Sequence, residues 1–226
     1  MNQTERVLRE GRRADCYRLF STCFYPPERD QLLQHRICIE LAETLNELYP
    51  DTAAAAHAMV LHEQLTQLSE TDVRVDHAAL FVGPFRLKAA PYGSIYLERN
   101  NLLMGDTTLA ASVCYAEAGL ELTLHEPADH IAVELEFMHY LAALSAQAAH
   151  RGDDEQTARL TGQGDRFLND HLGAWAPAFC AAIKRGANTV FYRALADCLE
   201  AFVDAELRHT RGVGCDTVLS EPRQRH

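Results

Sequence analysis

Apolar residues recur along this chain at the spacing of one helix face, and no segment sustains strict alternation. That single pattern excludes most sheet architectures and predicts an all-α protein. Near the start, Cys16, Tyr17, Phe20, Cys23 and Phe24 fall at i, i+1, i+4, i+7 and i+8. Pro26 and Pro27 end that helix, because proline supplies no N–H and crowds the preceding turn. Leu33, Ile37, Leu41, Leu45 and Leu48 step by four and then three, which predicts one helix ending near Tyr49 and Pro50. Asp51 is placed to cap a third helix carrying Ala58, Leu61, Leu65 and Leu68. A shorter helix over about 73–81 leads into Gly83 and Pro84.

Residues 83–105 break the pattern, with Gly83, Pro84, Pro91, Gly93 and Gly105 spaced among Tyr92, Ile95, Tyr96 and Leu97. A connection this long inside a compact domain is usually functional or mobile. Thr107 or Thr108 would cap the next helix, which runs to about Gly119, and 120–126 is a candidate hinge. Pro127 reads as the first residue of a strong helix reaching His150, with Asp129 in its first turn facing the helix dipole. A further helix presents Leu168, Leu172, Trp175 and Phe179, interrupted or kinked at Pro177, and the last runs over about 188–209. The expected architecture is one helical domain of about nine helices. It spans 1–210, with a subdivision at 119 and 127 open, and 211–226 reads as a frayed tail.

The chain has 226 residues, 47% hydrophobic and 23% charged, enough apolar material for a real core and too much for a disordered segment. Its formal net charge of −11 repels phosphate backbones, so nucleic acid is not an expected partner, while a basic polypeptide is attracted. No apolar run approaches the length of a spanning helix. Arg12 and Arg13 stand in tandem, but Ala14, Asp15 and Cys16 follow instead of a signal-like stretch, so the pair reads as a solvated helix face. Seven cysteines, an odd number with no Cys-x-x-Cys spacing, suit reduced thiols in a cytoplasmic protein.

Motifs for chemistry are sparse. No phosphate-cradling glycine loop and no nucleophile elbow occur, and Gly162-Gln163-Gly164 reads as close helix packing. Two Glu-x-x-His pairs, Glu136 with His139 and Glu206 with His209, have the spacing of helical di-metal centres. At about 100° per residue, Glu136 and His139 fall on the polar arc of their helix, opposite Leu135, Met138 and Leu141. His130 and Glu134 fall inside the apolar arc. They read either as a satisfied core pair that fixes the helix start or, for His130, as a side chain facing a groove. Asp129 reads equally as a cap and as a binding residue.

The run His125-Glu126-Pro127-Ala128-Asp129-His130, continued by Glu134-Leu135 and Met138, resembles the signature of the TorD/DmsD/NarJ-type cytoplasmic chaperones. Leu19-Phe20 before Tyr25-Pro26-Pro27, Leu80 to Pro84 before Pro91 to Tyr96, Met104 to Thr108, and Phe167 to Phe179 before Phe191-Tyr192 resemble the same family in the same order. The resemblance implies a TorD-like helical bundle that is not an enzyme and needs no cofactor and no resident metal. Its partners would be the catalytic subunit of a molybdopterin-containing oxidoreductase and that subunit's twin-arginine leader. It would hold back export, assist cofactor insertion, and act as a monomer or homodimer without stable membrane insertion. Carried over, Pro127, Asp129 and His130 belong to the leader-binding region. Glu126 joins them as a carboxylate at the groove mouth, with Phe81, Tyr92 and Tyr96 as loop aromatics. A di-metal helical oxidoreductase and a generic helical adaptor are the competing readings.

Overall fold

The computed structural model describes residues 2–83, 87–98, 105–121 and 126–218, with side chains described as far as Gly212. Eleven helices and one π turn make up its regular structure: α1 (Gln3–Phe24), α2 (Arg29–Gln34), α3 (Ile37–Leu48), α4 (Ala54–Gln67), α5 (Glu70–Phe81), α6 (Ser94–Leu97), α7 (Asp106–Glu117), α8 (Ile131–His150), α9 (Asp154–Phe167), the π turn Leu168–Leu172, α10 (Gly173–Gly186) and α11 (Val190–Val218). The chain is all-α, and its one β-type contact among the described residues is an isolated bridge between Tyr92 and His130.

The stripe on α1 does what its spacing implies. Cys16, Tyr17, Phe20 and Cys23 are buried, and α1 lies along α8, the most apolar of the long helices. α9 covers another side of α8, while α4 and α10 flank α11. Tyr17 and Phe20 both pack on Phe202, with ring centroids 5.0 and 5.2 Å apart, which ties α1 to α11 through aromatic contact.

Several boundaries differ from the sequence expectation, each for a visible reason. The predicted helix over 33–48 is two helices, because Arg36 adopts a left-handed conformation (φ 53°) and turns the chain between α2 and α3. Asp51 does not cap α4, which starts three residues later with no side-chain cap bond. Neither Thr107 nor Thr108 caps α7, since both lie inside it and Gly105 holds the cap position. Pro177 does not interrupt α10; the irregular hydrogen bonding falls one turn earlier, in the π turn. Pro127 is not the first residue of α8. It opens a turn closed by the His130 N–H donating to the Pro127 carbonyl at 3.0 Å, and the extended backbone of His130 (ψ 137°) delays the helix to Ile131. The last helix continues beyond the expected end, to Val218. The tail from 219, most of the candidate hinge (122–125), and residues 84–86 and 99–104 of the central connection lie outside the described residues.

One Glu-x-x-His pair is absorbed by this frame. Glu206 is buried between α11 and α1, where the Arg13 guanidinium reaches it at 2.7 Å, the Tyr17 hydroxyl donates to it at 2.7 Å, and the Tyr49 hydroxyl also donates. Glu10 completes the cluster by pairing with Arg13 at 2.9 Å. Burial alone would raise the Glu206 carboxyl. The Arg13 charge and these hydrogen bonds outweigh it and hold Glu206 below the usual carboxylate range.

Candidate binding edge at the start of helix α8

The signature residues before α8 are built into a joint between that helix and the central connection. The Gly93 N–H donates to the Asp129 carbonyl and the Ile131 N–H to the Pro91 carbonyl, both at 2.9 Å, which makes the Tyr92–His130 bridge. The Asp129 side chain turns away from α8. One carboxylate oxygen accepts from the Ser94 N–H at 2.8 Å and the other from the Thr108 hydroxyl at 2.8 Å. Asp129 thus anchors the first turn of α6 and the first turn of α7 at once. It is fully buried, so of the two readings open in the sequence, cap or binding residue, the structure shows neither directly: Asp129 anchors the neighbouring helices α6 and α7 and positions the loop.

His130 is the cap of α8. Its Nδ1 accepts from the Ala132 N–H at 3.2 Å, and its ring meets Tyr92 edge-on at a centroid distance of 5.4 Å. Burial lowers the His130 pKa, opposed by the Glu126 and Asp129 charges, and the neutral ring is the form that accepts this bond. The expected His130–Glu134 pair does not form. Glu134 faces the other way, where the Trp175 indole donates to it at 2.9 Å from α10. Its second oxygen has no partner, and burial pushes its carboxyl well above the usual range. Trp175 also lies over the loop, stacked on Tyr96 at 5.7 Å. A Cβ on Gly93 would stand 3.0 Å from the indole nitrogen, so any larger residue there must push the ring aside by a few tenths of an ångström.

The loop aromatics divide into two groups. Phe81 belongs to the core, in contact with Phe24, Phe179 and Tyr192, and is not presented to a visitor. Tyr96 is half-buried against Trp175. Tyr92 stays half-exposed and its hydroxyl donates to the exposed Glu126 at 3.4 Å. Partial burial, with the Glu126 charge added, pushes the Tyr92 hydroxyl up to about 12. The joint therefore brings Tyr92, Glu126, Pro127 and His130 to one edge, with Asp129 beneath it and Phe81 and Tyr96 in the packing behind.

Sequence reasoning missed Tyr25 and the reach of Glu136. The Tyr25 hydroxyl donates to Glu136 at 3.0 Å, so this exposed carboxylate on α8 is fixed by the end of α1. The only signal for it was Tyr25 standing next to Pro26. His139 turns to the Ala14 carbonyl at 2.9 Å. Among the described residues no group of three or more His, Cys, Asp or Glu is placed to hold a metal ion.

An all-helical chain with a buried signature and an exposed aromatic-acidic edge describes a binding scaffold. Residues 41–181 match the nitrate reductase delta subunit family, and the chain belongs to that family. It is similar to the chaperone protein TorD of Photobacterium profundum, with 35% identity over 59% of this chain and 62% of that protein. TorD of Vibrio cholerae is 27% identical over 91% of this chain and 94% of its own length. The Tat proofreading chaperone DmsD of Salmonella typhi is 34% identical over 51% of each. The chain is accordingly a chaperone of this class and not an enzyme. No helix among the described residues is long and apolar enough to cross a membrane.

Proposed function

We propose that this chaperone binds the twin-arginine leader, the apo form, or both, of a molybdopterin-containing oxidoreductase in the cytoplasm. It holds the client back from export while the cofactor is inserted. The observation that carries this reading is the exposed Glu126 carboxylate beside the half-exposed Tyr92 ring, both on a joint held rigid by Asp129. A carboxylate flanked by an aromatic ring suits a guanidinium, and a pre-ordered loop lowers the entropy cost of docking a flexible leader. Pro127 and His130 shape the same edge. The working form is one chain or two, with 120–126 as the connection that an exchanged dimer would use.

Affinity purification of the chain from its native cell, followed by mass spectrometry, identifies the client. A molybdoenzyme catalytic subunit still carrying its leader is the expected catch. Calorimetric titration with that leader then tests the edge: Glu126→Gln with Tyr92→Ala should weaken binding about tenfold or more. Unchanged affinity in that double variant moves the binding site elsewhere.

A further inference from the structure

A trough beside this edge has the dimensions and charge to receive more of the same visitor. A cavity of about 520 Å³ opens between α1, α2 and the outer face of α8, with Tyr25, Leu32, Ile37 and Glu136 among its walls. A second cavity of about 500 Å³ continues past Pro26 and Pro27 toward Glu70. The two share Pro26, Glu28 and Gln31, so they adjoin. Two adjoining hollows suit an extended polypeptide that passes from one to the other.

We propose that this trough takes the arginine-bearing stretch of the client leader, with Glu136 and Glu28 as its carboxylate contacts. This inference rests on the proposed leader-binding function and adds a place for the paired arginines. Glu136 is held ready by the Tyr25 hydroxyl at 3.0 Å and the Ser21 hydroxyl at 3.4 Å. Among the described residues, no Lys or Arg comes within 4.0 Å of Glu136 or Glu28. The basic groups on the walls are partly turned aside. Arg18 leans to Asp15 at 3.8 Å, His139 faces the Ala14 carbonyl, His35 is exposed, and Arg74 lies at the far end. The trough and the α8 start share one helix: Glu136 lies on α8, five residues beyond Ile131, and the Ser21 hydroxyl of α1 donates to the Ala132 carbonyl at 3.2 Å between them. The −11 chain adds long-range attraction for a basic segment.

The test is a two-by-two calorimetric titration. Wild type and Glu28→Gln/Glu136→Gln are each titrated with the native leader and with a leader whose two arginines are glutamines. The expected result is about tenfold weaker binding of the native leader by the variant, with little difference between proteins for the glutamine leader. Arg18→Glu, which adds a carboxylate to the trough, should bind the native leader more tightly than wild type. Equal affinity of wild type and the Gln variant for the native leader, or equal losses with both leaders, overturns the trough and leaves leader binding at the Glu126 edge standing. Absence of leader binding to wild type removes both. Thermal melts of the Gln variant confirm folding, and Arg18→Glu gives an independent reading if that variant is unstable.

Discussion

The Trp175 indole donates its Nε1–H to one oxygen of Glu134, 2.9 Å away, while the other oxygen of that carboxyl is buried with no partner. Glu134 is thus a half-satisfied polar group in the wall between α8 and α10. Its folded pKa is raised, so the native state binds the proton more tightly than the unfolded chain. The contribution of this one group to stability is then greatest below the ordinary carboxylate range and falls as pH rises toward the folded pKa. Glu134→Gln keeps an acceptor for the indole and removes the ionisation cost. The variant should melt at a higher temperature than wild type at neutral pH, and the gap should close as pH drops below the unfolded glutamate value. Melts by circular dichroism across pH check both parts.

Gly93 lies directly under the same indole. Gly93→Ala places a methyl 3.0 Å from the ring nitrogen, which forces Trp175 or the loop to move. About 1–3 kcal/mol of destabilisation is expected from such overpacking. Trp175 is the one tryptophan in the chain, so its fluorescence reports the displacement without ambiguity. Leader affinity should fall with it, because the loop carries Tyr92.

Asp129→Ala removes the acceptor for the Ser94 N–H and for the Thr108 hydroxyl. Leaving both buried donors unpaired is expected to cost about 2–4 kcal/mol. Hydrogen exchange should show faster opening at 93–97 and at the start of α7, with α11 unaffected. Glu126→Gln, on the exposed rim, should leave the melting temperature unchanged. A loss of leader binding in both variants with a loss of stability in only the first would separate a positioning residue from a contact residue.

Arg13→Ala strips the counter-charge from Glu206. A buried carboxylate without its partner is expected to cost about 3–5 kcal/mol, enough to unfold a marginal domain. The sign of the pH dependence is opposite to that at Glu134. Glu206 has a lowered folded pKa, so its stabilisation is full above the ordinary glutamate value and is lost as pH falls through the folded one. Wild type should therefore lose stability in acid more steeply than Glu10→Gln/Arg13→Met/Glu206→Leu, which removes all three buried charges of the cluster. Denaturant titrations at neutral and acid pH measure the difference.

His130→Ala removes the Nδ1 acceptor that caps α8 and should cost about 1 kcal/mol. Protonation has the same effect as mutation. The folded pKa lies below the ordinary histidine value, so this stability is present near neutral pH and lost as pH falls below that value. Nuclear magnetic resonance of the imidazole in the native protein follows the titration directly.

How much of this was legible in the chain depends on the reach of each interaction. The helices α1, α4 and α8 declare themselves through apolar residues three and four apart, because one helix face sets both the spacing and the burial. The break at Arg36 was hidden, since Leu33 and Ile37 keep the step of four across it. The stretch before α8 was marked out by its signature, but its internal wiring was not. Asp129 bonds to Ser94 and Thr108, and Glu134 to a tryptophan 41 positions on, distances over which local periodicity carries no information. Phe81 reads as a loop aromatic on the family resemblance, although the helical spacing over 73–81 already places it at the end of α5, from which it points into the core.

The internal use of Asp129 separates two tasks that share one stretch of sequence. The frame of the joint is set by buried groups such as Asp129, whereas the Glu126 side chain and the Tyr92 hydroxyl lie at its rim. On the proposed reading of that rim as the client contact, a lineage of such proteins would exchange clients through a few rim substitutions while its scaffold is inherited intact.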